Sequence, residues 1–260
     1  TTLYSEARLP QRKAWIGSDS GVLAVEGEFE LARICDVRGA LREIRQFMKS
    51  AAGKRAAART SLRPAVAIPG QQLKVLHPSR AIHALLEHFR DALWIDESGL
   101  STSDVRQWMK LPAGDYLING SGGIGWGLAA AVGAALGNPQ RQVVAVIGDG
   151  SALYASEAMW TAGHHGTKML LVILSNRRYA TLNEAAGRLA GGTLESFTIE
   201  PPVIDFSGLA KLYGWRYAQA TTERELDGFL AKMRGKVAAN TLLDIKLDPA
   251  VKPVTASRHF

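Results

Sequence analysis

Residues 143–182 read VVAVIGDGSALYASEAMWTAGHHGTKMLLVILSNRRYATL. An apolar run, Val143–Ile147, stops at Gly148-Asp149-Gly150-Ser151, and a second run, Met169–Leu174, stops at Ser175-Asn176. Short runs this rich in Val, Ile and Leu predict strands buried on both faces, as in a parallel sheet. The stretch between them has helical length, so the segment reads as a β-α-β unit. Ligands of such units gather at the carboxyl ends of the strands, which is where Asp149 and Asn176 fall. A carboxylate beside an amide oxygen suits a hard divalent cation, and Mg2+ takes few protein ligands and fills its remaining positions with phosphate oxygens and water. Gly148 and Gly150 let the backbone approach a ligand, and the following helix aims its amino end there. These residues alone therefore suggest a metal–diphosphate site.

Gly-Asp-Gly-Ser followed by an asparagine that closes an apolar strand resembles the signature of the thiamine diphosphate enzymes. The likeness is nearest to benzoylformate decarboxylase and its relatives. It extends from about Leu76 to Pro249 through GSGGIGWGLAAAVGAAL, RQVVAVIGDGSALY, NRRYATL and IDFSGLAKLYG. The family pattern ends in Asn-Asn, whereas this chain has Ser175-Asn176. The resemblance implies thiamine diphosphate and Mg2+ as cofactors, with Asp149, Asn176 and the backbone carbonyl of Arg178 as metal ligands.

The same resemblance implies further roles. Gly148, Gly150 and Ser151 help to seat the cofactor, and Tyr179 and Ala180 belong to the segment that wraps the diphosphate. The loop after the first strand of the domain points to Gly99 and Leu100 as diphosphate contacts. Relatives often carry hydroxyl residues at those two positions, so backbone amides, Ser98 or Ser101 would substitute here. The Gly122 carbonyl would accept a hydrogen bond from the aminopyrimidine, beside Gly123, and Ile124 would be the apolar wedge that holds the cofactor bent. Leu182 stands where pyruvate decarboxylases carry a glutamate, and Ala185 where benzoylformate decarboxylase has Phe. These two are the expected substrate contacts, for a small 2-keto acid in an enlarged or reshaped pocket. Arg177 and Arg178 replace smaller residues of many relatives and either reach phosphate or lie in solvent.

Gly120, Gly122 and Gly125 also form a literal G-x-G-x-x-G between a strand and a helix, which raises a nicotinamide or flavin alternative. That fingerprint needs an acidic residue about 20 positions on, at the end of the next strand. None occurs between Asp115 and Asp149.

The chain of 260 residues is 47% hydrophobic, enough to build a sizeable core. Its one cysteine, Cys35, excludes an internal disulfide and fits a reducing cytoplasm. No apolar run approaches the roughly 18–20 residues of a membrane span, and no signal peptide is visible. The net charge of +7 is concentrated in Lys54–Arg63, KRAAARTSLR, which lacks interleaved aromatics. We read it as a solvated linker rather than a nucleic-acid surface.

In chain order, residues 1–50 are expected to be the remnant of a central domain, or else an N-terminal extension. They hold two short strands, Ala14–Gly17 and Leu31–Cys35, and an amphipathic helix, Asp36–Met48, capped by Asp36. Residues 51–76 read as a linker, residues 77–250 as the diphosphate-binding domain and residues 251–260 as a tail. Within the domain, strands are expected at Ala92–Ile95, Tyr116–Ile118, Val143–Ile147, Met169–Leu174, Trp215–Gln219 and Leu242–Leu247. Helices are expected at Pro78–Arg90, Gly125–Leu136, Tyr154–His165, Ile204–Tyr213 and Thr222–Arg234. Gly125–Leu136 is apolar throughout and reads as buried on every side. Gly187–Pro202 reads as a mobile surface stretch and a candidate lid. The alternation predicts a doubly wound α/β fold, six strands in a mainly parallel sheet with helices on both faces.

The implied activity is a 2-oxoacid decarboxylase, with acetolactate synthase- or aldehyde-lyase-like carbon–carbon chemistry as the alternative within the class. In such enzymes a glutamate on a separate pyrimidine-binding domain activates the cofactor. No such domain is visible in this sequence, so this chain alone is expected to be inactive. It is expected to be a piece of a longer polypeptide or one half of a split enzyme, working as a homo-oligomer, dimer or tetramer.

Overall fold

The computed structural model describes residues 14–18, 31–51, 76–109, 114–120, 122–190, 195–233 and 235–251. Its contacts divide the chain into two compact units, one within Ser5–Ala65 and one holding Val66–Phe260. In the smaller unit, β1 (Ala14–Gly17) pairs in parallel with β2 (Leu31–Ile34), and α1 (Val37–Ala51) follows. Asp36 caps α1 as expected, its carboxylate accepting the Arg38 and Gly39 amides at 3.1 and 3.0 Å. Leu41, Ile44, Phe47 and Met48 on that helix are exposed. Most of the expected linker and all but the first residue of the tail lie outside the described residues. Leu76 does not behave as linker: it is fully buried and bridges Leu247.

The larger unit is a six-stranded sheet. In chain order its strands are β3 (Leu93–Glu97), β4 (Tyr116–Ile118), β5 (Val143–Gly148), β6 (Met169–Ser175), β7 (Arg216–Ala220) and β8 (Thr241–Lys246). They lie in the order β4-β3-β5-β6-β8-β7, and every pairing is parallel. The chain steps from β3 to one side and returns to the other at β5, so a crevice opens at the carboxyl ends of those two strands.

The unbroken apolar runs follow from having two cores. Val144 and Val146 face one, with Trp94, Leu170, Val172 and Leu243. Val143, Ala145 and Ile147 face the other, with Ile95, Leu171, Ile173 and Leu242. Alternate residues thus leave water on opposite sides of the sheet. On the first side lie α2 (Pro78–His88) and α9 (Glu223–Met233), through Ile82, Leu85, Leu226 and Leu230. On the second lie α4 (Gly127–Gly137), α6 (Ala158–His164) and α8 (Phe206–Leu212), through Leu128, Val132, Met159 and Phe206. Local chemistry sets the helix starts. The Asp205 carboxylate caps α8, accepting Ser207 and Gly208 amides at 3.0 Å each. Thr222 and Glu225 form a reciprocal capping box at α9.

The structure departs from expectation at four places. The helix after β5 starts at Asp149 itself, as α5 (Asp149–Ala152), then tightens to a 3-10 turn at Leu153–Ala155 before α6. Helix α4 is not buried all round within this chain, since Leu136 is 42% exposed. Two helices stand where the sequence reading names none: α3 (Thr102–Trp108) and α7 (Ala180–Ala190). Finally, part of Gly187–Pro202 is regular secondary structure. Its first residues finish α7, and Glu195–Phe197 is a 3-10 turn. Thr198 then pairs in antiparallel fashion with Arg178. The Gly191-Gly192 portion of the expected lid lies outside the described residues.

Candidate diphosphate and metal site

Strands β3, β5 and β6 end together around a cavity of about 360 Å3. Its wall includes Gly99, Leu100, Gly122, Gly123, Ile124, Gly148, Asp149, Gly150, Ser151, Asn176, Arg178, Tyr179, Ala180 and Leu182. Each of these was expected at the site from sequence. Ala185, one turn beyond Leu182 on α7, is half-buried and does not line this cavity.

Asp149 begins α5 at the tip of β5 and is buried. Its carboxylate accepts the Gly150 amide at 2.9 Å and the Arg177 amide at 2.6 Å. Burial nevertheless pushes its carboxyl up to about 6, and the Asp244 carboxylate nearby adds to the rise. Among the described residues it makes no ion pair. A buried carboxylate held by backbone amides alone, with no counter-charge, is an arrangement that a cation completes.

At the next strand tip, the Asn176 amide oxygen accepts the Arg178 amide at 3.1 Å. The Arg178 carbonyl accepts the Ala180 amide at 2.9 Å and keeps a lone pair. Carboxylate, amide oxygen and carbonyl form an all-oxygen donor set, the kind a hard cation takes. No group of three His, Cys, Asp or Glu side chains that could hold a metal occurs among the described residues.

The β6 tip is itself anchored. Tyr179 donates its amide to Phe197, and Ile199 donates to the Arg177 carbonyl, at 2.8 and 3.0 Å. Arg177 takes φ 62°, a left-handed conformation uncommon for a residue other than glycine. Its side chain is exposed and stands 3.9 Å from the Glu200 carboxylate. Arg178 is half-buried, makes no ion pair among the described residues, and lines both the main cavity and a second one of about 160 Å3 behind it. Tyr179 packs its ring on Gly150, where an added Cβ would come within 2.3 Å of the ring edge.

Several wall residues escaped the sequence reading. Asp96 and Glu97 belong to β3 rather than to the loop after it. Asp96 is buried and accepts the Tyr116 hydroxyl at 2.6 Å and the Ser98 hydroxyl at 2.6 Å. That bond occupies the Ser98 hydroxyl hydrogen, one of the donors proposed to serve phosphate. Glu97 is also buried and accepts the amides of Gly125 and Gly127, the latter at 2.8 Å, with Trp126 contributing. Burial still raises its carboxyl above the usual range. No local sequence pattern marks Glu97, because the amides that hold it lie 28 and 30 residues further on.

Glu97 also decides the dinucleotide alternative. A dinucleotide pyrophosphate needs the free amides at the amino end of the helix after the glycine loop. Here a carboxylate of the protein already holds the amides of residues 125–127.

Comparison with known proteins gives the family and the fold of the chain. A family model described as thiamine pyrophosphate enzyme, C-terminal TPP binding domain, matches residues 97–245. Benzoylformate decarboxylase of Pseudomonas aeruginosa is 36% identical over 168 residues, covering 64% of this chain and 31% of that protein. The acetolactate synthase isozyme 1 large subunit of Escherichia coli is 25% identical over 184 residues, covering 65% of this chain and 32% of that one. The solved thiamine diphosphate-dependent 4-hydroxybenzoylformate decarboxylase of Rhodococcus jostii RHA1 superposes with a TM-score of 0.73 at 29% identity. That match covers 91% of this chain and 44% of the Rhodococcus chain. The chain thus spans less than half the length of each of these relatives.

Proposed function

This chain belongs to the thiamine pyrophosphate enzyme family, whose C-terminal TPP binding domain it carries, and on that premise we propose that it holds thiamine diphosphate through Mg2+ for a 2-oxoacid decarboxylase. The buried, uncompensated Asp149 carboxylate beside the Asn176 amide is the observation that carries this reading. Asp149, Asn176 and the Arg178 carbonyl would take three positions on the metal and leave the others to diphosphate oxygens and water. Gly122 and Gly123 bring backbone to the far wall of the cavity, where the aminopyrimidine would lie against Ile124. Bound there, thiamine diphosphate supplies the electron sink for loss of CO2 from a 2-oxo acid. Leu182 and Ile124 give this end of the cavity an apolar lining, although both side chains are exposed in this chain.

The activating glutamate is expected from a separate pyrimidine-binding domain, so residues 77–250 alone would bind cofactor without turnover. The whole enzyme would work as a homo-oligomer. Among the described residues no helix is long and apolar enough to cross a membrane.

The similarity to an acetolactate synthase supports carboligation as a second reading. Decarboxylation and carboligation use the same anchoring residues and part only at the fate of the bound product. Two measurements test the proposal. Thiamine diphosphate with Mg2+ should raise the melting midpoint of the chain while NAD does not, and the reverse result rejects it. A panel of 2-oxo acids given to the full-length polypeptide should yield aldehydes, whereas hydroxyketo products would favour carboligation.

A further inference from the structure

The amino end of α4 is normally the part of such a fold that waits for an anionic ligand. In this chain it is filled from within. Glu97 reaches from the tip of β3, and both carboxylate oxygens are engaged by amides at the start of α4: Oε1 by Gly125, just before the helix, and Oε2 by Gly127, its first residue. The carboxylate is buried and makes no ion pair among the described residues. Its negative charge is therefore balanced by backbone dipoles.

The bonded amides follow directly after Gly122, Gly123 and Ile124, which line the cavity. At the other end of that loop the Asn119 side chain donates to the Gly123 carbonyl at 2.8 Å. The loop is thus tied at both ends, to β3 through Glu97 and to the end of β4 through Asn119. Between the ties, Gly122 sits at φ 75° with open space where a side chain would be.

We propose that Glu97 is the positioning residue of the pyrimidine wall: an internal anion that fixes Gly122–Ile124 at the distance the aminopyrimidine requires, without touching the cofactor. The inference rests on the thiamine diphosphate reading above and adds to it a division of labour. Asp149 and Asn176 hold the diphosphate end, and Glu97, acting through the loop, sets affinity for the ring end. Loss of Glu97 should therefore leave recognition of the diphosphate intact.

The test compares two ligands on the full 260-residue chain, thiamine diphosphate and inorganic pyrophosphate, each titrated with Mg2+ by calorimetry. Glu97→Gln keeps the size of the side chain but turns one acceptor into a donor facing an amide. It should weaken thiamine diphosphate about tenfold or more, the scale of a charged hydrogen bond, and change pyrophosphate less than about twofold. Gly127→Ala approaches from the other side, because its Cβ would lie 2.6 Å from Glu97 Oε2. It should give the same selective loss, and it keeps the test alive if Glu97→Gln does not fold. Equal losses for both ligands, or no loss for either, would reduce Glu97 to a structural carboxylate and overturn the proposal. So would an unaltered chain that binds thiamine diphosphate no tighter than pyrophosphate. If the unaltered chain binds neither ligand, the cofactor reading itself falls.

Discussion

The amide of Arg177 donates to the Asp149 carboxylate at 2.6 Å, so the tips of β6 and β5 are joined directly by one hydrogen bond. The bond places Asn176, the residue before Arg177, beside the carboxylate across the strand pair. The candidate metal grip is therefore built from two adjacent strands whose relative position the sheet already fixes.

Replacing Asp149 by Ala should abolish Mg2+-dependent binding of thiamine diphosphate, read by calorimetry. The fold should survive, because the change removes a buried charge that has no counter-ion. A melting midpoint near that of the parent, with no detectable cofactor binding, is the expected pair of results. Unchanged cofactor affinity would reject the metal assignment.

The pH dependence follows from the same group. The Asp149 carboxyl sits at about 6 in the folded chain against an ordinary 3.8. Between those values the folded state holds more protons than the unfolded one, so this group's contribution to stability falls as pH rises through the window. Above about 6 it is ionised and ready for metal. Metal-free chain should thus lose stability from this group between about pH 4 and 6, while Mg2+ affinity should decline below about pH 6, approaching tenfold per unit. Titrating Mg2+ and thiamine diphosphate at several pH values checks both signs.

Arg178 and Arg177 should behave differently despite being neighbours. Arg178 is half-buried between two cavities and makes no ion pair among the described residues, whereas Arg177 is exposed near Glu200. Arg178→Gln, which leaves the backbone carbonyl in place, should weaken pyrophosphate binding about tenfold and lessen its salt dependence. Arg177→Gln should change it little. Equal effects in the two variants would show that only general charge is felt.

Arg177→Gly should hold or raise the melting midpoint. The left-handed backbone costs a non-glycine residue about 1 kcal/mol, which glycine avoids, partly offset by the greater freedom of glycine when unfolded. Arg177→Val at the same place should lower the midpoint.

The sheet and the two strand tips of the candidate site were legible because unbroken apolar runs ended abruptly in Gly148-Asp149 and Ser175-Asn176. A strand that must face two cores leaves that mark wherever it stops. Glu97 was not legible, since an acidic residue next to Ser98 and Gly99 reads as loop. What allows it inside a strand is a set of amides from a segment nearly thirty residues away, beyond any local pattern. Helix α7 was hidden for a related reason. Its ATLNEAAG sequence is polar enough to look like surface, and the glycines after it suggested a loop throughout. The one-sided burial of α4 could not be seen from a sequence apolar on every side.

The pairing of Arg178 with Thr198 has one more outcome. Peptide groups that flank Asn176 are shared with a segment twenty residues downstream, since Ile199 donates to Arg177 and Tyr179 to Phe197. Tightening the grip on a cation would therefore be registered remotely, as slower solvent exchange of the Ile199 proton. That amide is a built-in reporter, readable without any substrate or turnover.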